Sequence, residues 1–206
     1  MTTKDPVRQR ILTAARELFA ERGYEGTSVR DITARAKANL AAITYHFGSK
    51  EALFHTVLRS VAEPLVEAVT QAAQAPGTAL QRLELALRAA NEHVAAHPWA
   101  PPVMLRELAG SGRLPEPLVQ AWKRNISTLV GLITAGQQDG SIRAGDPLLL
   151  ALSAVGQVFF FRVGGRIAQE VARVDLTSPE VSARVIEHIA ETARRSLANY
   201  PTKVKP

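Results

Sequence analysis

Two short amphipathic segments separated by a turn, residues 27–50 (TSVRDITARAKANLAAITYHFGSK), constrain this chain more than any other feature. Ser28 is a good N-cap, and with Asp31 three residues on it makes an S-x-x-D capping box, each side chain satisfying an orphan backbone N–H. Val29, Ile32 and Ala36 then recur at helical spacing. After the turn AKAN, Asn39 is placed to cap a second helix whose inner stripe is Leu40, Ile43 and Phe47. At about 100° per residue, Ala41, Ala42, Thr44 and Tyr45 fall on the opposite face, with His46 at its edge. Two small residues beside a Thr and a Tyr make a face that can approach a surface closely and hydrogen-bond to it. Ser49 caps a further helix. Lys50 stands at its N-terminus, where the macrodipole gives a cation no help. A phosphate would account for that lysine; so would simple solvation.

Two short helices joined by a tight turn, the second with a small polar outer face, form the helix-turn-helix pattern. Residues 10–53, carried by ILTAARELFAERGYEGTSVRDITARA and above all by AAITYHFGSKEAL, resemble the N-terminal domain of the Tet repressor family of bacterial regulators. The remainder shows only the weaker likeness typical of that family's variable ligand-binding domain.

That resemblance implies a homodimeric transcriptional regulator, usually a repressor, which leaves a palindromic operator when a small molecule binds its C-terminal domain. It places the second short helix of the motif in the major groove of double-stranded DNA. Arg30 matches a position that contacts DNA, and Thr44, His46 and Lys50 match positions that hold phosphates. The DNA-facing set is therefore Ser28, Arg30, Lys37, Ala41, Ala42, Thr44, Tyr45, His46 and Lys50. Two departures stand out. Lys37 occupies the place of the usual turn glycine, so either the turn accepts a strained lysine or Lys37 uses it to reach a phosphate. Thr44 replaces the usual tyrosine, and Tyr45 follows one place later.

The expected fold is all-α with about nine helices: a three-helix reading domain over 1–50, a larger effector-binding and dimerisation domain over 51–200, and a tail over 201–206. Asp5-Pro6, Asp146-Pro147 and Ser178-Pro179 each read as a cap followed by proline at the first helical position. Ile11, Leu12, Ala15, Leu18 and Phe19 line the first helix, and the reading domain closes around Phe19, Ile32, Ile43 and Phe47. Pro64 interrupts a helix running from about 49 to 74 and predicts a kink near Ser60. One helix is predicted from 146 to about 173 and a last one to about 199. Apolar surface on 148–161 and 181–197, with Ala151, Ala154 and Gly156 permitting close approach, predicts that the last two long helices form the dimer.

Charge points the same way. Net charge is +6; residues 1–60 hold ten Lys/Arg against six Asp/Glu, and residues 61–206 fifteen against thirteen. The chain has no cysteine, so disulfides and Cys-ligated zinc are excluded. The N-terminus lacks an apolar signal region, and the longest apolar run is interrupted by Ser153 and Gln157, so no membrane segment is expected and the cytoplasm is the expected location. Walker A, dinucleotide and G-x-S-x-G motifs are absent, and neither enzyme nor cofactor is expected.

Trp99, Met104, Trp122, Phe159, Phe160 and Arg162 are the candidate effector-binding residues, for a small, largely apolar effector. Gln157, Arg106 or His93 could add polar anchors. Arg162 also admits a structural salt bridge or an interface, because a polar group in an apolar helix needs a partner. Two alternatives remain: a helical interaction protein that does not bind DNA, and a metal-responsive regulator using His93 and His97, which are spaced i,i+4.

Overall fold

A computed structural model describes residues 5–199, the side chain of Arg166 apart; the tail expected over 201–206 lies outside them. The described residues form ten α-helices: α1 Pro6–Arg22, α2 Val29–Ala36, α3 Ala41–Phe47, α4 Lys50–Ala73, α5 Ala79–Ala95, α6 Ala100–Ala109, α7 Glu116–Gln138, α8 Pro147–Val163, α9 Gly165–Ala172 and α10 Pro179–Leu197. They divide into two compact units. One comprises Met1–Glu63 with Trp99–Gln120, the other Pro64–Pro98 with Ala121–Pro206. The division falls inside α4, between Glu63 and Pro64. Pro64 supplies no N–H for the Ser60 carbonyl, although the helix is assigned without a break there.

In the first unit, Asp5 starts α1 by accepting hydrogen bonds from the N–H groups of Val7 (2.9 Å) and Arg8 (3.4 Å), with Pro6 at the first helical position. Ile11, Leu12, Ala15, Leu18 and Phe19 are all buried on the inward face of α1. Ile32 and Ala36 of α2, Ile43 of α3, and Leu53, Phe54 and Val57 of α4 are buried too. Phe19 and Phe54 meet edge to face, ring centres 4.8 Å apart. Gly23, in the left-handed region at φ +74°, ends α1. The buried Thr27 hydroxyl lies 2.8 Å from the Gly23 carbonyl and 3.2 Å from that of Leu18, pinning the next loop. Helix α6 packs in this same unit. Its Arg106 donates to the carbonyls of Ala20 and Glu21, where a cation meets the negative end of the α1 macrodipole.

The core of the second unit gathers Val69 of α4, Leu83, Ala86 and Leu87 of α5, Leu129 and Ile133 of α7, and Ala151, Ala154 and Val158 of α8. Val185, Ile189 and Ala193 of α10 complete it. Helix α5 packs against both α8 and α10. A capping box opens α5: the Thr78 hydroxyl accepts from Gln81 N–H, and the Gln81 side chain accepts from Thr78 N–H (2.9 Å).

Three local expectations are corrected. The helix predicted from 146 to 173 is two, because Val163 is followed by Gly164-Gly165, two poor helix formers, and a β-carbon on Gly164 would come 2.9 Å from the Phe160 carbonyl. Ser178 precedes α10 without capping it; its hydroxyl donates to the Asp175 carbonyl. Leu40, placed on the inner stripe by its spacing, is 51% exposed, because it precedes the regular turns of α3. Extended pairing among the described residues is limited to one bridge, Ile142 with Ala198, joining the loop after α7 to the end of α10.

Two substitutions test the capping. Thr78→Ala is expected to lower stability by about 1 kcal/mol, read from urea unfolding at pH 7. Asp31 is held below the ordinary carboxylate range by hydrogen bonds from the Ser28 hydroxyl and N–H. A carboxylate depressed in the folded state contributes above its unfolded pKa and loses that contribution as pH falls through the lower folded value. The deficit of Asp31→Asn against wild type is therefore expected at pH 7 and should shrink once pH falls below about 4.

Candidate nucleic-acid interface

Helices α2 and α3 are positioned from both ends. The Ser28–Asp31 capping box is complete: Asp31 N–H donates to the Ser28 hydroxyl (3.1 Å), and Ser28 N–H to the Asp31 carboxylate (2.9 Å). At the other end of α2, Lys37 adopts the left-handed conformation (φ 49°, ψ 51°). Its N–H reaches the Ala34 carbonyl, and Ala38 N–H reaches that of Thr33 (3.0 Å). The lysine therefore stands where a glycine would be unstrained. Arg10 of α1 donates from Nε to the Ala36 carbonyl (3.0 Å), satisfying another orphan at that terminus. The N-cap of α3 is Leu40, one residue after the expected Asn39; Asn39 instead holds the turn before it, its side-chain oxygen accepting from Ala41 N–H (3.0 Å) and its carbonyl from Ala42 N–H (2.9 Å).

The outer face of α3 follows from Ile43, which is buried. Ala41, Thr44 and Tyr45 are exposed and Ala42 is half-buried; Tyr45 reaches 84% exposure. Leu40 extends this face, a residue the helical spacing had assigned to the core. Ser28, Arg30 and Lys37 are exposed on and after α2. These residues share one continuous stretch of backbone around the turn.

His46 and Lys50 are oriented differently. The His46 side chain is 11% exposed, with Nδ1 3.5 Å from a carboxylate oxygen of Asp5. The Lys50 ammonium donates to the carbonyls of Tyr24 (3.0 Å) and Thr27 (3.1 Å) and lies 4.0 Å from the Tyr24 ring centre. That partner set explains a cation at a helix N-terminus without a phosphate. Other basic side chains are also paired within the chain: Arg35 forms a bidentate surface pair with Glu21 (2.8 and 3.1 Å), which holds the Glu21 carboxyl below its usual range.

The six effector candidates do not fall in one unit. Trp99 and Met104 belong to the first, where the Arg16 guanidinium lies 5.6 Å from the Trp99 ring centre. Trp122, Phe159, Phe160 and Arg162 belong to the second. Phe160 is 62% exposed, on the outer side of α8. Arg162 lies inward. Its Nε donates to Asn91 Oδ1 (2.8 Å), as does one terminal nitrogen, while the other donates to the Ser182 hydroxyl (3.2 Å). Burial pushes the guanidinium below its usual pKa, and the salt bridge expected for it is replaced by these neutral partners.

A cavity of about 960 Å³ in the first unit is bordered by Tyr24, Glu51, His55, Arg106 and Glu107 among others. One of about 570 Å³ in the second lies between α4 and α7, bordered by Glu67, Gln71, Lys123 and Arg124 among others. None of the six candidates lines either cavity. The rings of His93 and His97 stack at 4.4 Å, and His97 Nδ1 lies 2.7 Å from the His93 carbonyl. Among the described residues no group of three His, Asp or Glu side chains is placed to hold a metal. No described helix is long and apolar enough to cross a membrane.

Residues 11–57 match the family model described as bacterial regulatory proteins, tetR family. The HTH-type transcriptional repressor Rv3405c of Mycobacterium tuberculosis is 40% identical over 81 residues, which are 39% of this chain and 42% of that protein. The chain thus aligns with under half the length of such higher-identity relatives. The HTH-type transcriptional repressor NicS of Pseudomonas putida is 25% identical over 197 residues, 94% of this chain and 93% of its own. Among solved structures, AibR in complex with isovaleryl coenzyme A and operator DNA superposes with a TM-score of 0.72 at 23% identity, covering 90% of this chain and 97% of that one. The capped helix-turn-helix and the family match over it agree: residues 11–57 are similar to the bacterial regulatory proteins of the tetR family, and the all-helical likeness along the rest is one of fold.

Proposed function

We propose that the chain is a DNA-binding transcriptional regulator, not an enzyme, acting in the cytoplasm as a homodimeric repressor on a two-fold-symmetric operator. The observation that carries this reading is the outer face of α3, where Ala41, Thr44 and Tyr45 stand exposed beside a capped turn. Small residues let the helix sit deep in the major groove, and the Tyr45 hydroxyl and the Thr44 methyl and hydroxyl can meet base edges. Ser28, Arg30 and Lys37 supply backbone contacts, which set affinity and salt dependence rather than sequence preference. Residues 1–50 are the reading part and 51–200 the effector and dimerisation part. The effector is a small molecule with a large apolar portion, a reading supported by the acyl-coenzyme A named for the AibR structure. Trp122, Phe159 and Arg162 are its candidate contacts in the second unit.

Dimerisation is assigned to α8 and α9. On α10 the apolar residues Val185, Ile189, Ala193 and Leu197 are already buried within the chain, while Leu149, Leu152 and Phe160 of α8 and Ile167 and Val171 of α9 are exposed. Sedimentation at micromolar concentration is expected to give a dimer, and Phe160→Glu a monomer whose affinity for a palindromic operator falls at least tenfold. A wild-type monomer would remove the two-fold arrangement.

Lys37 and Lys50 provide opposite tests of the DNA face. Lys37→Gly relieves the left-handed strain and is expected to raise stability by at most about 1 kcal/mol. It should weaken binding to all sequences and reduce the slope of log affinity against log salt by about one unit. Lys50→Ala breaks two internal hydrogen bonds from a charged donor. It is expected to cost about 1–3 kcal/mol in stability and leave the salt slope unchanged. The readouts are urea unfolding and gel shifts over a salt series, using DNA upstream of the chain's own gene. Absence of any salt-sensitive complex with that DNA would favour the helical interaction protein instead.

A further inference from the structure

Arg162 lies on the core-facing side of α8. At about 100° per residue it shares a face with Ala151, Val155 and Val158, opposite Leu149, Gly156 and Phe160. Its guanidinium therefore extends between α5 and α10, not toward the exposed apolar stripe. There it meets Asn91 of α5, which is fully buried, and Ser182 of α10. Both partners are neutral. Arg162 is half-buried, and a guanidinium withdrawn from water is ordinarily paired with a carboxylate, because desolvating a charge is costly unless an opposite charge stands against it.

The hydrogen-bond inventory is one-sided. A guanidinium carries five N–H groups. Two converge on Asn91 Oδ1 and one goes to Ser182, leaving one on each terminal nitrogen. Asn91 Oδ1 has both lone pairs engaged by Arg162, which fixes the amide orientation. That Nδ2 is buried and has no acceptor among the described residues. The cluster thus offers a positive charge and surplus donors from two helices, with no anion of its own. The complementary group is negatively charged, accepts only, and has two oxygens: a carboxylate. A phosphate dianion calls for more cation than one arginine supplies, and the neighbouring Arg88 is already paired with Glu187 at 2.7 Å. The same three helices contribute Leu87, Val158 and Val185 to the core, so an apolar ligand body is the one that matches the character of these helices.

We propose that Arg162 and Asn91 form a binding site for the carboxylate of a small apolar monocarboxylic acid. This rests on the reading of the second unit as the effector-binding part, and it names the class of effector. Arg162 provides the charge and a forked pair of donors, Asn91 Nδ2 adds a third, and Ser182 holds the guanidinium plane.

The test uses the full-length protein with butyrate, hexanoate, benzoate and phenylacetate, each beside its primary amide, in thermal-shift and calorimetric titrations. At least one acid is expected to raise the melting temperature and to bind about tenfold or more tightly than its amide. Arg162→Gln is expected to bring that ratio close to one. Should this variant fold poorly, the double variant Asn91→Leu, Arg162→Met, which leaves neither partner orphaned, supplies the same measurement, with circular dichroism to verify the fold. Equal response to acids and amides in the wild type, or an acid preference that survives in either variant, overturns the proposal. Gel shifts without any acid read the DNA-binding proposal separately, so a salt-sensitive complex together with no acid preference overturns this site alone.

Discussion

Helices of eight and seven residues cannot maintain themselves in water, where isolated helices shorter than roughly 12–15 residues are marginal, and α2 and α3 have those lengths. Whatever α3 presents outward is therefore set by what Ile32, Ala36 and Ile43 bury inward against Phe19 and the start of α4. The caps complete the arrangement. Ser28 and Asp31 satisfy one end of α2, and the Lys37 turn with Arg10 satisfies the other. The short pieces are held rigidly because their orphan backbone groups and apolar stripes are accounted for within the first unit.

The basic residues of that unit are mostly used to build it. Arg10 meets the Ala36 carbonyl, Arg35 the Glu21 carboxylate, Arg106 the end of α1, and Lys50 the carbonyls of Tyr24 and Thr27. Arg30 and Lys37 are left facing outward. A positive balance in the first sixty residues is thus a poor measure of the charge offered to a phosphate backbone, since much of it neutralises helix ends. On the proposed reading, α3, which carries no lysine or arginine, meets bases by close approach while affinity comes from flanking groups.

Helix boundaries and the inner stripe of α1 were legible from the sequence because each rests on a local rule: a side-chain oxygen before a helix, proline at its first position, apolar residues recurring at 3.6. Where expectation failed, a neighbour intervened. Leu40 kept the correct spacing but lies at the first residue before α3, where no partner covers it. Ser178 had a suitable side chain, yet the Asp175 carbonyl took its hydroxyl. Lys50 was recognised as an anomaly of helix electrostatics, but its actual partners come from a loop more than twenty residues earlier. Gly164-Gly165 divides α8 from α9 directly after a strong apolar run whose periodicity does not reveal the break. Side-chain type alone does not say that Trp99 and Met104 pack in one unit and Trp122, Phe159, Phe160 and Arg162 in the other.

Helix α8 explains why one apolar segment invites two different readings. A helix packed on one side needs one stripe, and α8 has two: Leu150, Ala151, Ala154 and Val158 buried against α5 and α10, and Leu149, Leu152 and Phe160 exposed. Such a pattern leaves little amphipathic contrast, so sequence periodicity alone cannot orient it. Arg162 breaks the ambiguity, because a polar side chain is tolerated on the buried stripe only where partners meet it, and Asn91 and Ser182 do. With the inner face fixed by a polar cluster, the outer stripe is the one left uncovered. The exposed apolar stripe and the charged inner cluster then lie on opposite sides of a helix only about 10–12 Å across, so packing that shifts one side is felt at the other.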